Sequence, residues 1–143
     1  MAREDKGHFA QKHPAAQLNE KIAQAIRAEV LEGGLSCAVA FKIAGELSVM
    51  PGDVGQSADL IEVPIVKCQL GLFGYENPKR VIKPTGSVEP ELEKAIREGL
   101  INGRISCAHI FSLASSLKLP KMVIASACET LRIKISSCQL GTF

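Results

Sequence analysis

The chain contains the same stretch of sequence twice, and this internal repeat constrains its fold more than any other feature. With a constant offset of seventy residues and no gap, residues 18–73 align with residues 88–143, and sixteen of the fifty-six aligned positions are identical. The longest identical block is Cys-Gln-Leu-Gly, at residues 68–71 and 138–141. An ungapped match of this length predicts two examples of one structural unit.

Chain length and composition suit a globular protein made of two small units. The 143 residues are 46% hydrophobic and 22% charged, which is usual for globular chains. Units of roughly sixty residues lie near the lower size limit for a self-sufficient core, so we expect the two units to bury surface against each other. The predicted organisation is a flexible tail over residues 1–17, a unit over 18–75, a linker or wing over 76–87 and a second unit over 88–143.

The sequence has neither a transmembrane pattern nor a signal peptide pattern. No apolar run approaches the roughly 18 residues that a membrane span needs, and the polar first residues lack the apolar region of a signal peptide. We therefore expect a cytoplasmic protein without a membrane partner. A second molecule of the same chain is one partner left open.

Hydrophobic periodicity predicts three helices in each repeat. Gly33 and Gly103 supply stop signals for the first helix, because glycine adopts the left-handed conformation at a helix C-terminus without a Cβ penalty. Ser36 and Ser106 are typical N-cap residues for the second helix. The predicted helices lie near residues 19–32, 36–48, 51–61, 89–102, 106–118 and 121–130.

A short β-strand is predicted after the third helix of each repeat, which makes the fold class mainly α with short strands. Residues 63–70 and 131–138 alternate in polarity and are rich in β-branched residues. We expect each strand to end in Cys-Gln-Leu-Gly. Because each has an otherwise unpaired edge, the two strands are expected to pair with each other across a pseudo-twofold axis. Residues 81–82 are a candidate second strand of a hairpin.

The apolar residues of the second and third helices follow a recognisable spacing. In the first repeat the spacing is carried by Ala44, Leu47, Val49, Val54, Ala58 and Ile61. In the second repeat it is carried by Ala114, Leu117, Leu119, Ile124, Cys128 and Leu131. This pattern resembles the helix-turn-helix core of winged-helix transcription regulators, over about fifty residues of each repeat. The resemblance implies tandem winged-helix-like units, a wing over Cys68–Lys83, and DNA binding in transcription regulation.

Charge is distributed unevenly, and its distribution selects the candidate nucleic-acid-binding residues. The net charge is −3 over residues 18–75, +2 over residues 76–87 and +2 over residues 88–143. An anionic partner is therefore expected at the linker and the second unit. The predicted contacts are the basic side chains Lys79, Arg80, Lys83, Lys121 and Arg132.

The third helix of the first repeat is a poor groove-reading helix. In winged-helix proteins this helix enters the major groove, but its outward positions here include Asp53, Asp59 and Glu62, which phosphates would repel. Two other functions therefore stay open beside DNA binding. One is a protein-interaction or assembly module, since the same fold also serves that purpose. The other is a metal or redox sensor based on cysteine.

Five cysteines are present, and an odd number in a cytoplasmic-type chain argues against a disulfide framework. Small buried residues that pack helix against strand are the simplest interpretation, so no cofactor is predicted. Thiolate ligation of a metal is the alternative for the four repeated cysteines, which are Cys37, Cys68, Cys107 and Cys138. Cys37 and Cys107 also begin helices, where a thiolate is favoured and redox sensitivity follows.

The sequence carries no motif of enzyme chemistry. It has no Gly-rich phosphate loop, no HExxH and no Gly-x-Ser-x-Gly elbow. His109 lies two residues from Cys107 on a predicted helix, and side chains at that spacing do not face each other as a nucleophilic pair requires. We therefore expect a non-enzymatic protein.

Overall fold

The computed structural model describes residues 9–31, 33–76 and 78–143, and in these ranges the protein is mainly helical. Six α-helices are present in these ranges: α1 (Glu20–Glu29), α2 (Cys37–Leu47), α3 (Pro51–Leu60), α4 (Pro90–Glu98), α5 (Cys107–Leu117) and α6 (Lys121–Thr130). Four short strands accompany them: β1 (Leu35–Ser36), β2 (Ile65–Val66), β3 (Arg104–Ser106) and β4 (Lys134–Ser136). A short 3₁₀-helix at Phe9–Lys12 precedes α1. The predicted mainly α fold class is confirmed.

The chain folds into two compact units whose boundaries cross those of the sequence repeats. Unit 1 comprises the described residues of Met1–Cys68 together with Phe73–Tyr75 and Gln139–Phe143. Unit 2 comprises Gln69–Leu72 and the described residues of Glu76–Cys138. Each unit therefore contains one Gln-Leu-Gly segment from the opposite repeat, and unit 2 includes the segment expected to be a linker.

The second and third helices of each unit are joined by a tight three-residue turn. Ser36 and Ser106 cap α2 and α5, since their Oγ atoms accept hydrogen bonds from the backbone N–H groups of Val39 and His109. The turn begins with a left-handed residue, Lys118 in unit 2 (φ 55°). The chain bends by 118° between α5 and α6, within the range of helix-turn-helix pairs. No single helix in the described ranges is long and apolar enough to cross a membrane.

The first helix of each unit ends earlier than predicted because a tight turn follows it. α1 ends at Glu29 and α4 at Glu98, although both were expected to continue for three or four residues. In unit 2, Ile101 and Arg104 exchange two backbone hydrogen bonds of 2.8 and 3.1 Å. Asn102, at φ 53°, lies between them beside a left-handed glycine, which is the conformation of a two-residue hairpin turn.

The strands pair in parallel and within their own units. β1 pairs with β2, with Leu35 opposite Ile65, and β3 pairs with β4, with Arg104 opposite Lys134. The prediction that the strands of the two repeats pair with each other is therefore wrong. The strand after the third helix pairs instead with the short strand before the second helix, which is β1 or β3. A strand of two or three residues is too short to show a periodicity in the sequence.

The hairpin wing expected over Cys68–Lys83 does not form in the described part of that segment. Lys67 and Cys68 donate backbone hydrogen bonds to the carbonyls of Gly74 and Phe73, both at 3.1 Å, and so close a tight loop. Val81 and Ile82 both donate to the carbonyl of Gly71, at 2.9 and 3.1 Å. A single shared acceptor does not make a strand ladder, so residues 81–82 are not a strand.

Helix α3 packs directly against the backbone of Gln139 and Leu140. A Cβ atom at Gly55 would overlap the carbonyl group of Leu140, lying 2.7 Å from its carbon and 3.0 Å from its Cα. Only glycine at this position allows the approach. In contrast, nothing lies within 4 Å of the equivalent Cβ position at Gly45 of α2.

The two glycines make a matched pair for a stability measurement. Gly55→Ala should lower the free energy of unfolding by about 2 kcal/mol, because overpacking forces the backbone apart. Gly45→Ala should raise it by about 0.5–1 kcal/mol, since it adds helix propensity in open space. Urea unfolding followed by circular dichroism gives both values. Changes of the same sign in the free energy of unfolding of the two variants would contradict the packing described for α3.

Candidate functional site

An acidic residue near the end of α3 holds the segment that precedes α1. Asp59, only 7% exposed, accepts a hydrogen bond of 2.8 Å from His13 Nε2 and lies 3.0 Å from Lys12 Nζ. The backbone N–H groups of Phe9 and Ala10 donate to the Glu62 carboxylate at 3.1 and 2.6 Å. Residues 9–13 are therefore packed on α3 rather than forming a flexible tail. The rest of the expected tail, residues 1–8, lies outside the described residues.

The corresponding acid of α6 holds the corresponding segment of unit 2. Glu129, seventy residues after Asp59, forms an ion pair with Arg80. The backbone N–H of Thr85 donates to the hydroxyl of Thr130 at 2.7 Å. Residues 80–85 therefore form an arm on α6 and not an open linker. The arms of the two units occupy equivalent positions in sequence, which extends the offset of seventy upstream of the repeat.

Exposed cationic residues gather around the C-terminal end of α6. The arm brings Arg80 and Lys83 to this end through its contacts with Glu129 and Thr130. Arg132 follows two residues after the helix, and Lys134 begins β4 opposite Arg104 of β3. We name this group the basic cluster, which comprises five exposed residues: Arg80, Lys83, Arg104, Arg132 and Lys134.

Two cations of the basic cluster lie side by side in the parallel strand pair. Arg104 and Lys134 are direct register partners and both are exposed. Like charges directly opposite each other on paired strands repel. No ion pair within the described ranges involves Arg104, Arg132 or Lys134. An anion bound here would relieve the repulsion, so the site is suited to a phosphate.

Unit 1 has no counterpart of this cluster. The positions equivalent to Arg104, Arg132 and Lys134 hold Gly34, Glu62 and Pro64. None of these is cationic, and Glu62 is already bound by backbone N–H groups of the arm. The capacity to bind an anion at this place therefore belongs to unit 2 alone.

The predicted nucleic-acid-binding residues are only partly brought together. Arg80 and Lys83 belong to the arm held at the C-terminal end of α6, Arg132 follows that end, and Lys79 is exposed next to Arg80 in the arm. Arg80 already shares its charge with Glu129. Lys121 lies at the opposite end of α6, roughly 14 Å away along the helix axis, with Nζ 4.9 Å from the centre of the Phe111 ring.

Sequence reasoning missed Arg104 and Lys134 because it did not predict the strand pairing that juxtaposes them. Arg104 and Lys134 are neighbours only because β3 and β4 pair in this parallel register. The two arms were missed for a different reason, since the alignment of repeats began after them. Pro14 and Pro84 lie at the same offset of seventy, and this identity was the available signal.

The exposed residues at the start of the third helices are poorly suited to reading bases, since they are Gly52 and Asp53 in unit 1 and apolar in unit 2. In unit 1, Gly52 lies next to the Gln139 carbonyl and Gly55 is covered by Leu140. In unit 2, Ala125 of α6 is fully buried, and the exposed side chains at its start are Met122 and Val123, at 37% and 40%. Apolar side chains cannot exchange hydrogen bonds with base edges. Contact with phosphates is thus favoured over reading of bases.

The cysteines do not assemble a metal site in the described structure. Four of the five are buried, and Cys138 is half-buried. No group of three or more His, Cys, Asp and Glu side chains in the described ranges could hold a metal ion. The candidate thiolate ligands Cys37, Cys68, Cys107 and Cys138 are therefore not brought together as such a group. Redox sensitivity of the cysteines stays a prediction.

Burial suppresses ionisation of two side chains. Burial, and then the nearby charge of Glu129, raises the pKa of Cys128 from 9.0 to about 11. Burial, followed by the thiols of Cys68 and Cys37, raises the pKa of Tyr75. The Tyr75 hydroxyl donates a 2.7 Å hydrogen bond to the Cys68 carbonyl. Because the folded pKa of Cys128 is the higher one, its stabilising contribution is complete below about pH 9 and is lost as the pH rises through 11.

No family model, no curated protein and no solved structure matches this chain. The basic cluster offers exposed guanidinium and ammonium groups, which bind phosphate through charge-assisted hydrogen bonds. Binding of an anion is the chemistry that this arrangement supports.

Alkylation of the native protein should be faster at Cys138 than at Cys128. At pH 8 a thiol with a pKa of about 11 is only about 0.1% thiolate, so iodoacetamide should modify half-buried Cys138 first and Cys128 last. The rate at Cys128 should rise about tenfold per pH unit up to pH 11. Peptide mass spectrometry gives the order, with urea-unfolded protein as the control. Equal rates at the two thiols in the native protein would contradict the burial of Cys128.

Proposed function

We propose that this chain is a non-enzymatic DNA-binding protein, acting in transcription regulation, whose two tandem helix-turn-helix units are of the winged-helix kind. The observation that carries the proposal is the basic cluster at the end of α6. The order helix, strand, helix, helix, strand in each unit supports the relationship to winged helices. The 118° bend between α5 and α6 supports the helix-turn-helix interpretation.

Net charge favours unit 2 as the DNA-binding unit. Unit 2 contains ten Lys and Arg residues against six Asp and Glu residues, a net charge of +4. Unit 1 contains seven against nine, a net charge of −2. The potential of unit 2 attracts a polyanion, whereas that of unit 1 repels it. A duplex therefore approaches unit 2.

The proposed contact is with the phosphate backbone. Guanidinium groups of Arg104 and Arg132 match phosphate geometry bidentately, and Lys134 adds a point charge beside them. Contacts of this kind fix the position of a protein on the duplex but carry no sequence information. Any sequence preference must then come from DNA shape or from other residues of unit 2.

Removing three cations of the basic cluster should weaken duplex binding and flatten its dependence on salt. Each neutralised phosphate contributes about 0.9 to the log–log slope on B-DNA. Arg104→Ala/Arg132→Ala/Lys134→Ala should thus reduce the slope by up to roughly 3. Fluorescence anisotropy with a mixed-sequence duplex at several salt concentrations gives the slope.

A matched triple variant of unit 1 serves as the control. Lys21→Ala/Arg27→Ala/Lys42→Ala changes the net charge equally at three exposed residues of α1 and α2, and it should leave the slope nearly unchanged. An equal reduction of the salt slope in the two triple variants would indicate a general charge effect and contradict a site at the basic cluster. Sequence-dependent binding by the wild type would support the regulatory function.

A protein-interaction module is the second candidate, and two observations favour it. Part of α3 is covered at Gly55 by Leu140 of the same unit, and the exposed side chain at its start is the acidic Asp53. Leu31 and Ile101, at equivalent positions of the two repeats, are 76% and 75% exposed. Absent DNA binding at low salt, together with a stoichiometric protein partner recovered from native lysate, would favour this alternative.

A further inference from the structure

The segment Gln139–Phe143 belongs to the second repeat but completes unit 1. Leu140 is 3% exposed, and its backbone occupies the space that Gly55 leaves open on α3. Lys12 Nζ donates to the Gly141 carbonyl at 3.3 Å. The Phe143 ring packs edge-on against Phe73, with centroids 6.1 Å apart. The acceptor surface of unit 1 therefore recognises this segment through both backbone and side chains.

A short and strained hinge connects the segment to unit 2. Only Ser137 and Cys138 separate the end of β4 from Gln139. Ser137 has φ 56°, in the left-handed region, which is unfavourable for residues other than glycine. Short hinges under strain favour exchange of the attached segment between molecules. Extension of the hinge relieves this strain.

We propose that two molecules of this chain form a dimer by reciprocal exchange of residues 139–143, so that each molecule's segment completes unit 1 of the other. All contacts of the segment with α3, Lys12 and Phe73 are the same in the exchanged dimer as in the monomer. At the hinge, Ser137 is free to leave the left-handed region in the exchanged dimer. Exchange of an identical element is therefore a low-cost route to dimers.

The other Gln-Leu-Gly segment is not available for this exchange. Residues 69–72 form the tip of a loop whose two sides are held by hydrogen bonds from Lys67 to Gly74 and from Cys68 to Phe73. Moving this tip would break both bonds within unit 1. The exchange is thus specific to the hinge at Ser137, even though the two segments share the sequence Gln-Leu-Gly.

Opposite substitutions at the hinge test the proposal with the full chain. Ser137→Gly removes the strain of the closed hinge, and the dimer fraction should fall by about tenfold. Ser137→Pro cannot adopt φ 56°, and the dimer should predominate. Each protein is refolded from urea at high and low concentration and examined by size-exclusion chromatography with light scattering. Folded Ser137→Gly with the dimer fraction of the wild type would overturn the role of the hinge.

A complementation experiment identifies the exchanged segment itself. Gly55→Val blocks the acceptor surface but leaves the donor segment intact, and Leu140→Asp disables the donor but leaves the acceptor open. Each variant alone should be monomeric. Refolded together, they should give a heterodimer, detected by native mass spectrometry from the masses of the two variants. Dimers formed by either variant alone, or no heterodimer from the mixture, would overturn the proposal whatever the outcome with DNA.

Discussion

Unit 1 depends on the approach of the Leu140 backbone to α3 at Gly55. A single absent side chain makes this approach possible, and it brings a segment of the second repeat into a unit built mainly from the first. The same contact covers part of α3 at Gly55, while Gly52 and Asp53 of this helix stay exposed. The basic cluster of unit 2 is an exposed surface away from this contact.

Both units hold the arm through an acidic residue of the third helix, but the charges around this contact differ between the units. In each unit an acid near the end of the third helix, Asp59 or Glu129, holds the arm that precedes the first helix. Around this anchor unit 1 carries Glu62 where unit 2 carries Arg132. The repeat thus preserves the scaffold while its surface has diverged, and only unit 2 has acquired the charge that an anionic partner requires.

Local patterns predicted the helices well, because helix starts and stops are determined by neighbouring residues. Ser36 and Ser106 cap their helices as expected. Gly33 and Gly103 do not end the first helices as expected, because α1 and α4 end at Glu29 and Glu98 and the two glycines lie in the turns that follow. Pairing and docking were not predictable in the same way. The strand register, the two arms and the packing of residues 139–143 in unit 1 depend on contacts between residues 30 to 129 positions apart, which no local period encodes. The basic cluster was found in part, since charge counting located Arg132 and the arm but not Arg104 and Lys134.

The most direct test of this account is a nuclear Overhauser measurement on the isotopically labelled protein. The Leu140 Cα lies 3.0 Å from the position where a Cβ of Gly55 would stand, so the protons of these two residues are close enough to give strong cross-peaks. The account predicts cross-peaks between Gly55 of α3 and Leu140, with dispersed chemical shifts for residues 139–143. Random-coil shifts for these five residues, with no cross-peak to α3, would contradict it.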